Sequence, residues 1–386
     1  MFNYKCTSCG KDYNRDEVRY LCPACSKDYK PGMPLKGVLT AEFDYDEIRS
    51  KFTKDNPDLN LFSAVEKEFY PEFFHGNTPF HKTARLGGLA GFDHLYIKND
   101  SLNPSGSYKD RASFLVVAEA IRIKEDKIVT ASTGNAASSL AAVCASAGKK
   151  ALIFVPESAP KAKLLQMHVY GAEVVTVKGT YDDAFRMSME YTEKNGGLNR
   201  NTAYHPLTIE GKKTSALEIF VQNGFKVPDA VLVPVGDGVI ISGVYKGFYD
   251  LKMCGLTQKI PRLICVQAES SNAIHNFIET GVYKDAANPA TVADSISVKT
   301  PSNAYMARNA VISTGGFSVT VSDEEIMNAQ KTLAENTGIY AEPSCSAVLG
   351  GLIKAKDKFD RNEQIVLLIT GSGLKDTAAT AKYLNG

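Results

Sequence analysis

The sequence has almost no excess of charge of either sign. It carries 44 lysine and arginine residues against 43 aspartate and glutamate residues, for a formal net charge of +1. These charges form no basic face and no block, so the electrostatic signal of nucleic-acid binding or of attachment to a membrane surface is missing. We therefore expect neither a nucleic-acid partner nor a membrane partner.

Long apolar runs are also missing. No stretch reaches the roughly 18 consecutive apolar residues of a membrane-spanning helix. The first ten residues, MFNYKCTSCG, lack the apolar core of a secretory signal peptide. Short-period repeats and low-complexity tracts are absent too. We therefore expect a cytoplasmic protein.

The eight cysteines fall into two groups. Four are scattered in mostly apolar surroundings, as expected of small buried side chains in a reducing compartment. The other four form the pairs Cys6-x-x-Cys9 and Cys22-x-x-Cys25, with twelve residues between the pairs. This spacing is typical of a tetrahedral four-thiolate site such as a zinc ribbon, and Gly10 suits the turn of the first knuckle.

We expect zinc in this site and a structural role, because four thiolates leave no open coordination position. Iron is the alternative metal, and a redox-active CxxC is the competing interpretation. Residues 1–35 are polar and end at the turn-rich Pro31-Gly32-Met33-Pro34. We predict a zinc-ribbon-like knuckle over residues 1–35.

A length of 386 residues favours two domains besides this small appendage. From Leu95 onward, short apolar runs alternate with amphipathic stretches. The runs are KIVTA, KALIFV, EVVTVK, AVLVPVG, RLICVQA, FSVTV and IVLLIT. This alternation predicts an α/β fold of two open, twisted parallel sheets built from βαβ units.

In such folds, ligands bind where strands end and helices begin. Three strand exits are rich in glycine and hydroxyl side chains, which suits anion binding: ASTGN at 131–135, VPVGDGVIISG at 233–243 and TGSGLKD at 370–376. A fourth segment, NPSGSYKDR at 103–111, places Lys109 after a turn and before the helical stretch FLVVAEAI. The positive end of a helix dipole disfavours an ammonium group there. Taken alone, a lysine in this position is far more often a solvated side chain, here beside Asp110 and Arg111.

Together these segments resemble threonine synthases and their relatives among the fold type II, tryptophan-synthase-like enzymes that use pyridoxal phosphate. NPSGSYKDR resembles the cofactor-lysine segment. ASTGN, IEGKKTSALEI, PDAVLVPVGDG, EPSCSAVLGGL and LLITGSGLKD follow in the order seen in threonine synthases. The resemblance covers about residues 75 to 386.

The resemblance implies pyridoxal 5'-phosphate as the cofactor and a role for each motif. Lys109 would bind the cofactor covalently and move the proton at the substrate Cα. Asn135 would contact the phenolic oxygen of the ring, and Thr370 the pyridine nitrogen, with Ser372 as the less favoured partner. A hydroxyl partner at that nitrogen favours elimination and replacement over transamination.

Two loops would bind anions. The backbone amides of Gly236, Asp237, Gly238, Val239 and Ile240 would hold the cofactor phosphate. Ser132, Thr133 and Gly134 would hold the substrate carboxylate at a helix N-terminus. We further expect a large cofactor-binding domain over 36–90 and 216–386, a small mobile domain over 91–215 that carries Lys109 and the STGN loop, and a homodimer.

The sequence departs from the threonine-synthase pattern where that pattern binds the phosphate of O-phosphohomoserine. Thr208 stands at the position of a phosphate-binding arginine, and GDGVI replaces the usual GNxGN loop, which also adds the charge of Asp237. An arginine lost from an anion site is not a neutral change. We therefore expect weakened activity on this substrate unless His205, Lys212 or Lys161 compensates.

The predicted function is elimination or replacement on a small amino acid, with threonine synthase (O-phosphohomoserine and water to threonine and phosphate) as the first candidate. The alternatives are a serine/threonine-type dehydratase, a diaminopropionate-type ammonia-lyase and a β-replacement enzyme. A catalytically silent, cofactor-binding regulator is the non-enzyme alternative. The joint presence of Lys109, Asn135 and Thr370 argues against it.

Overall fold

The computed structural model describes residues 2–157, 159 and 161–385; the side chains of residues 161–163 and 385 are not described, so the suggested role of Lys161 lies outside it. In this part of the chain, no helix is both long and apolar enough to cross a membrane.

Strands and helices follow one another along the chain. The strands are β1 (Phe2–Cys6), β2 (Asp12–Asn14), β3 (Leu39–Phe43), β4 (Phe80–Lys82), β5 (His94–Asn99), β6 (Lys127–Ala131), β7 (Lys150–Pro156), β8 (Glu173–Val177), β9 (Leu198–Asn199), β10 (Ala230–Pro234), β11 (Arg262–Ala268), β12 (Ser318–Val321) and β13 (Gln364–Ile369). The helices are α1 (Tyr45–Lys51), α2 (Ala84–Ala90), α3 (Lys109–Arg122), α4 (Asn135–Ser146), α5 (Lys161–Val169), α6 (Tyr181–Asn195), α7 (Leu207–Lys212), α8 (Thr214–Gln222), α9 (Val239–Met253), α10 (Ala273–Thr280), α11 (Ala304–Ser313), α12 (Asp323–Thr337), α13 (Pro343–Lys354) and α14 (Thr377–Asn385).

The chain divides into two compact units. Unit 1 contains residues 1–76 and 109–214, and unit 2 contains residues 77–108 and 215–386. The predicted domain boundaries differ from this division at 36–76, at 91–108 and at Ser215. The reason is strand pairing: β3 pairs with β1 of the knuckle, whereas β5 pairs with β13 near the end of the chain. The predicted knuckle is therefore part of unit 1. The predicted mobility of the 91–215 segment stays a prediction.

Unit 1 holds two sheets. A four-stranded parallel sheet has the order β8-β7-β6-β9, and a three-stranded antiparallel sheet has the order β2-β1-β3. The apolar runs of β6 and β7 are buried almost throughout, as expected of parallel strands covered on both faces. One apolar core joins β1 and β3 with helices α3 and α4.

Unit 2 is built on a six-stranded sheet of order β12-β11-β10-β13-β5-β4, in which only the short edge strand β4 is antiparallel. One of its helices, α12, begins at a well-defined cap. Ser322 and Glu325 form a reciprocal capping box at the start of α12. The predicted α/β class with two open parallel sheets and an N-terminal cysteine cluster is confirmed.

Candidate active site

In unit 2, the residues that lead into Lys109 lie against the loop that follows β13. The backbone N–H of Tyr108 donates to the carbonyl oxygen of Thr370 at 2.9 Å, and the N–H of Ser372 donates to the carbonyl oxygen of Gly106 at 2.9 Å. Ser107 forms a bridge with Gly371. The structure thus brings together two predicted motifs that are more than 260 residues apart in the sequence.

The turn before Lys109 is held firmly. Gly106 has φ +78°, a conformation that favours glycine, and the Lys375 ammonium donates to the carbonyl oxygen of Ser105 at 2.7 Å. Tyr108 is fully buried, and its hydroxyl lies 2.5 Å from that of Ser215. The sequence analysis missed Tyr108 and Ser215, although the apolar residues of α8 after Ser215, such as Leu217 and Ile219, indicated a buried helix face.

Thr370 and Ser372 differ in their surroundings. The Thr370 hydroxyl is buried and lies 3.0 Å from the sulfur of Cys345 in α13. Ser372 accepts a hydrogen bond from the N–H of Leu374 and so caps its own turn. Glu342, at the N-terminus of α13, is buried beside them, and its N–H donates to the carbonyl oxygen of Gly371 at 3.0 Å. Which hydroxyl contacts the cofactor stays a prediction.

The predicted phosphate loop connects β10 to α9. Gly238 is the N-terminal cap residue of α9 with φ +85°. A side chain at Gly238 would meet the Cβ of Ala307 at 2.8 Å, and one at Gly236 would meet the Cα of Ile296 at 3.0 Å. The loop therefore needs glycine at both positions. It leads into the first turn of α9 at Val239 and Ile240, and backbone N–H groups at a helix N-terminus favour an anion.

This loop fits a phosphate group. The sequence analysis noted that the negative charge of Asp237 lies close to the expected phosphate. In the structure, the Asp237 carboxylate accepts a hydrogen bond from the N–H of Ser302 at 3.4 Å. The buried hydroxyl of the same Ser302 has no hydrogen-bond partner among the described residues. β10 is the neighbour of β13 in the sheet, so the Gly236–Ile240 loop and Thr370 leave the same edge of adjacent strands.

In unit 1, Lys109 is the first residue of α3, and Asn135 is the first residue of α4. The hydroxyls of Ser113 and Ser139, each one turn further along its helix, hydrogen-bond at 2.8 Å. The starts of both helices therefore lie within about one turn, or roughly 6 Å along the axis, of this contact. Sequence analysis predicted roles for both Lys109 and Asn135.

Ser132, Thr133 and Gly134 lie between β6 and α4 and are half-buried. The N–H of Gly134 donates to the hydroxyl of Ser132 at 3.2 Å. The N-terminus of α4 has no side-chain cap, and a helix N-terminus favours an anion, so this loop suits a carboxylate. The structure therefore gives the predicted carboxylate loop the expected position, at the carboxyl end of a parallel strand.

The segment after β9 runs beside this loop. The Asn201 side chain accepts hydrogen bonds from the Thr130 hydroxyl at 3.0 Å and from the Ala131 N–H at 2.7 Å, directly before Ser132. Thr208, where the resemblance expects an arginine, is fully buried, and its hydroxyl donates to the carbonyl oxygen of His205 at 2.9 Å. Thr208 is thus engaged within its own turn.

The four paired cysteines also meet. Their sulfur atoms all lie within 4.8 Å of one another. The distances between Cys6 and Cys25 and between Cys9 and Cys22 are each 3.9 Å, and no disulfide is formed. A tetrahedral zinc site with Zn–S bonds of about 2.3 Å separates its sulfurs by about 3.8 Å. The cluster therefore fits a tetrahedral metal ion.

Two residues that the sequence analysis missed support this cluster. Gly37 has φ +75°, and a side chain there would meet the Cβ atoms of Cys25 and Cys22 at 2.9 and 3.0 Å. The hydroxyl of Tyr13 lies 3.0 Å from the sulfur of Cys22. Gly10, which the sequence analysis assigned to the first knuckle, has φ +73°, and its N–H donates to the carbonyl oxygen of Cys6.

Known proteins resemble this chain in sequence and in fold. A family profile described as pyridoxal-phosphate dependent enzyme matches residues 72–371. Threonine synthase of Methanocaldococcus jannaschii is 35% identical over 98% of this chain and 94% of its own length. Threonine synthase of Methanosarcina acetivorans is 36% identical over 97% of this chain and 93% of its own length.

Among solved structures, the processed form of threonine deaminase isoform 2 from Solanum lycopersicum aligns with a TM-score of 0.71. It is 23% identical and covers 83% of this chain and 90% of its own. This likeness establishes the fold. The family match and the full-length relatives show that the chain belongs to the pyridoxal-phosphate-dependent enzymes, as a lyase that resembles threonine synthases.

Proposed function

We propose that this enzyme is a threonine synthase, which converts O-phosphohomoserine and water to threonine and phosphate. The observation that carries the proposal is the 35–36% identity to proteins named threonine synthase along nearly the whole chain. Three features support it: Lys109 is the first residue of α3, Gly238 caps the start of α9, and the loop that contains Thr370 hydrogen-bonds to the segment before Lys109.

Each group of residues has a task in this proposal. The cofactor, held by Lys109 and the Gly236–Ile240 amides, supplies an electron sink for charge that develops at the substrate Cα. The Lys109 Nζ atom takes the proton from Cα and returns it later. Ser132, Thr133 and the first N–H groups of α4 orient the substrate through its carboxylate, and Asn135 and Thr370 orient the cofactor ring.

The sequence lacks the arginine expected to bind the substrate phosphate. The segment after β9 contains other donors that could take its place. Three buried donors there have no hydrogen-bond partner among the described residues: Nη2 of Arg200, the hydroxyl of Thr202 and Nε2 of His205. His205 Nδ1 accepts the N–H of Leu207, so in the neutral ring Nε2 carries the proton. Burial lowers the pKa of His205 to about 3 and keeps the ring neutral.

Arg200 is the strongest of these donors. It is 2% exposed and donates through Nε to Ser113, and no carboxylate of the described chain lies within ion-pair distance of it. Burial lowers the pKa of Arg200 to about 10. A buried cation without a carboxylate at ion-pair distance is costly, so this site favours a bound anion. We infer that Arg200 takes the role that the arginine at position 208 has in the resembled enzymes.

The test measures the activity of two variants on two substrates, O-phosphohomoserine and threonine. Arg200→Met keeps side-chain volume but removes the charge, and Arg186→Met, on the exposed face of α6, is the matched control. We expect Arg200→Met to raise KM for O-phosphohomoserine about 10- to 100-fold, the size of one lost charged hydrogen bond, with phosphate release as the readout. Ammonia release from threonine should change less.

Other outcomes assign the activity differently. An equal loss on both substrates would make Arg200 a structural residue. A wild-type enzyme that releases ammonia from serine, threonine or diaminopropionate faster than phosphate would favour the dehydratase or ammonia-lyase alternative. The fold likeness to threonine deaminase keeps that alternative open. The cytoplasmic location and the homodimer remain proposals.

We also propose that Cys6, Cys9, Cys22 and Cys25 bind one structural Zn²⁺. The four-thiolate set and the 3.9 Å sulfur separations support this metal. Elemental analysis of protein purified without chelators should find one zinc per chain. An absence of metal, or a disulfide between the pairs, would contradict the proposal.

A further inference from the structure

Tyr20 lies between the two cysteine pairs and contacts the segment that follows β9. Its hydroxyl accepts the backbone N–H of Asn199 at 3.0 Å. Its ring stacks on that of Tyr204, with centroids 4.5 Å apart and an interplanar angle of 21°, and meets the edge of His205 at 5.6 Å. One side chain thus contacts three residues of this segment.

The position of Tyr20 is set from the cysteine side. The next residue, Leu21, bridges to Val38, and the N–H of Cys22 donates to the carbonyl oxygen of Gly37 at 2.8 Å. Cys22 is in turn one of the four proposed metal ligands. Only Leu21 separates Tyr20 from this ligand, so the Tyr20 ring is tied through a short stretch of backbone to the cluster.

The segment that Tyr20 contacts, residues 199–205, also contacts the strand that leads into the proposed substrate loop. Asn201 holds Thr130 and Ala131 through its side chain, and Ser132 follows directly. Between Asn199 and His205 lie the unpartnered donors of Arg200 and Thr202. Donors that bind a small anion must be placed within a fraction of an ångström, so the segment needs a fixed support.

We propose that the metal-loaded cysteine cluster positions residues 199–208 through Tyr20, so that metal occupancy sets the affinity for the amino-acid substrate and leaves cofactor binding unchanged. Tyr20 is a positioning residue, since it acts through Asn199, Tyr204 and His205. The inference rests on the proposed zinc site and on the proposed substrate role of this segment.

The first experiment compares zinc-loaded and zinc-stripped holoenzyme, both kept reduced. Backbone hydrogen exchange is followed for peptides covering 196–208, with peptides of β10 and β13 as internal controls. Loss of zinc should speed exchange at 199–205 at least tenfold and leave β10 and β13 unchanged. KM should rise roughly three- to tenfold, the size of one hydrogen bond, while kcat and the cofactor absorbance stay within twofold.

The second experiment separates the metal from the tyrosine. Tyr20→Phe removes the acceptor for Asn199 and keeps the ring, whereas Tyr20→Ala removes both. Tyr191→Phe is the matched control, because its hydroxyl contacts Lys127 at the opposite end of β6. Both Tyr20 variants should keep one zinc and raise KM, Tyr20→Ala more strongly. Zinc removal from Tyr20→Ala should then raise KM no further, because the two changes act on one path.

Two results would overturn the proposal: unchanged exchange at 199–205 and unchanged KM on zinc removal, or full additivity of zinc loss and Tyr20→Ala. If Tyr20→Ala does not fold, the same additivity test is made with Tyr20→Phe. Hydrogen exchange needs no substrate, so it decides the coupling even if O-phosphohomoserine is not turned over. Failure of the proposed function and failure of this inference are thus distinguishable.

Discussion

Among the lysines near the site motifs, several are buried and already paired with a carboxylate. Lys98 contacts Glu218 at 2.6 Å, Lys213 contacts Glu210 at 2.7 Å, and Lys246 is ion-paired with Asp250. A lysine whose Nζ atom is bound in a buried ion pair is not available to attack a cofactor aldehyde. Lys109, half-buried at the start of α3, is the better candidate.

Lys109→Ala should abolish both the visible absorbance of the bound cofactor and all turnover, because the covalent attachment point is lost. Borohydride reduction of the wild-type holoenzyme and peptide mapping should place the label on Lys109. Lys246→Ala, which removes a buried ion pair from α9, is the control and should lower stability but keep the absorbance band. Label on Lys213 or Lys246 would refute the assignment.

His205 gives stability a pH dependence. Its pKa is lowered to about 3 in the folded chain by burial, Arg19 and Arg200, against an ordinary value near 6.5. The unfolded state therefore binds a proton first as pH falls, so the free energy of unfolding decreases between about pH 6.5 and 3. His205→Gln should flatten this dependence in urea unfolding curves. The same pH dependence in wild type and His205→Gln would contradict this account.

At the scale of elements, the parallel strands were predictable because both of their faces are buried and they appear as continuous apolar runs, such as KIVTA and IVLLIT. The antiparallel pairing of β1 with β3 was not, since it joins residues across the cysteine segment and depends on tertiary contacts. The roles of Lys109 and Asn135 were predicted from the order of the sequence motifs, which resembles that of threonine synthases. Arg200 and Tyr20 belong to no motif, and only burial and contact reveal them.

The turn from β10 into α9 yields a prediction about Gly238. Gly238→Ala places a Cβ 2.8 Å from that of Ala307 and forces φ +85° on a non-glycine residue. We expect a loss of about 1–3 kcal/mol in stability and weaker binding of the cofactor, measured by equilibrium dialysis. Gly88→Ala lies in α2 with open space around it. It should instead stabilise the protein by up to about 1 kcal/mol, and a similar loss in both variants would contradict this account.

At the scale of the whole molecule, each unit is assembled from separate stretches of the chain. The chain passes from one unit to the other after Gly76, Tyr108 and Thr214. β13 lies between β10 and β5 in the six-stranded sheet, so a segment near the end of the chain joins strands that are far apart in sequence.

Two truncations test this arrangement. A chain that stops after Asp376 loses α14 but keeps β13, and it should remain soluble with a lowered Tm. A chain that stops after Glu363 also loses β13 and the Thr370 loop, which splits the sheet into β12-β11-β10 and β5-β4. We expect it to aggregate on expression. Equal soluble yields, measured by gel filtration, would show that β13 is dispensable.

The central place of β13 also bears on how the protein is made. During translation, β5 leaves the ribosome some 265 residues before its partner β13. At a synthesis rate of roughly 5–20 residues per second, that interval lasts some tens of seconds. Throughout it the inner edge of β5 is unpaired, and from its own synthesis onward so is the inner edge of β10; such edges attract other chains. High-level expression at elevated temperature should therefore favour inclusion bodies, and slower synthesis or chaperones that shield nascent strands should raise the yield of folded enzyme.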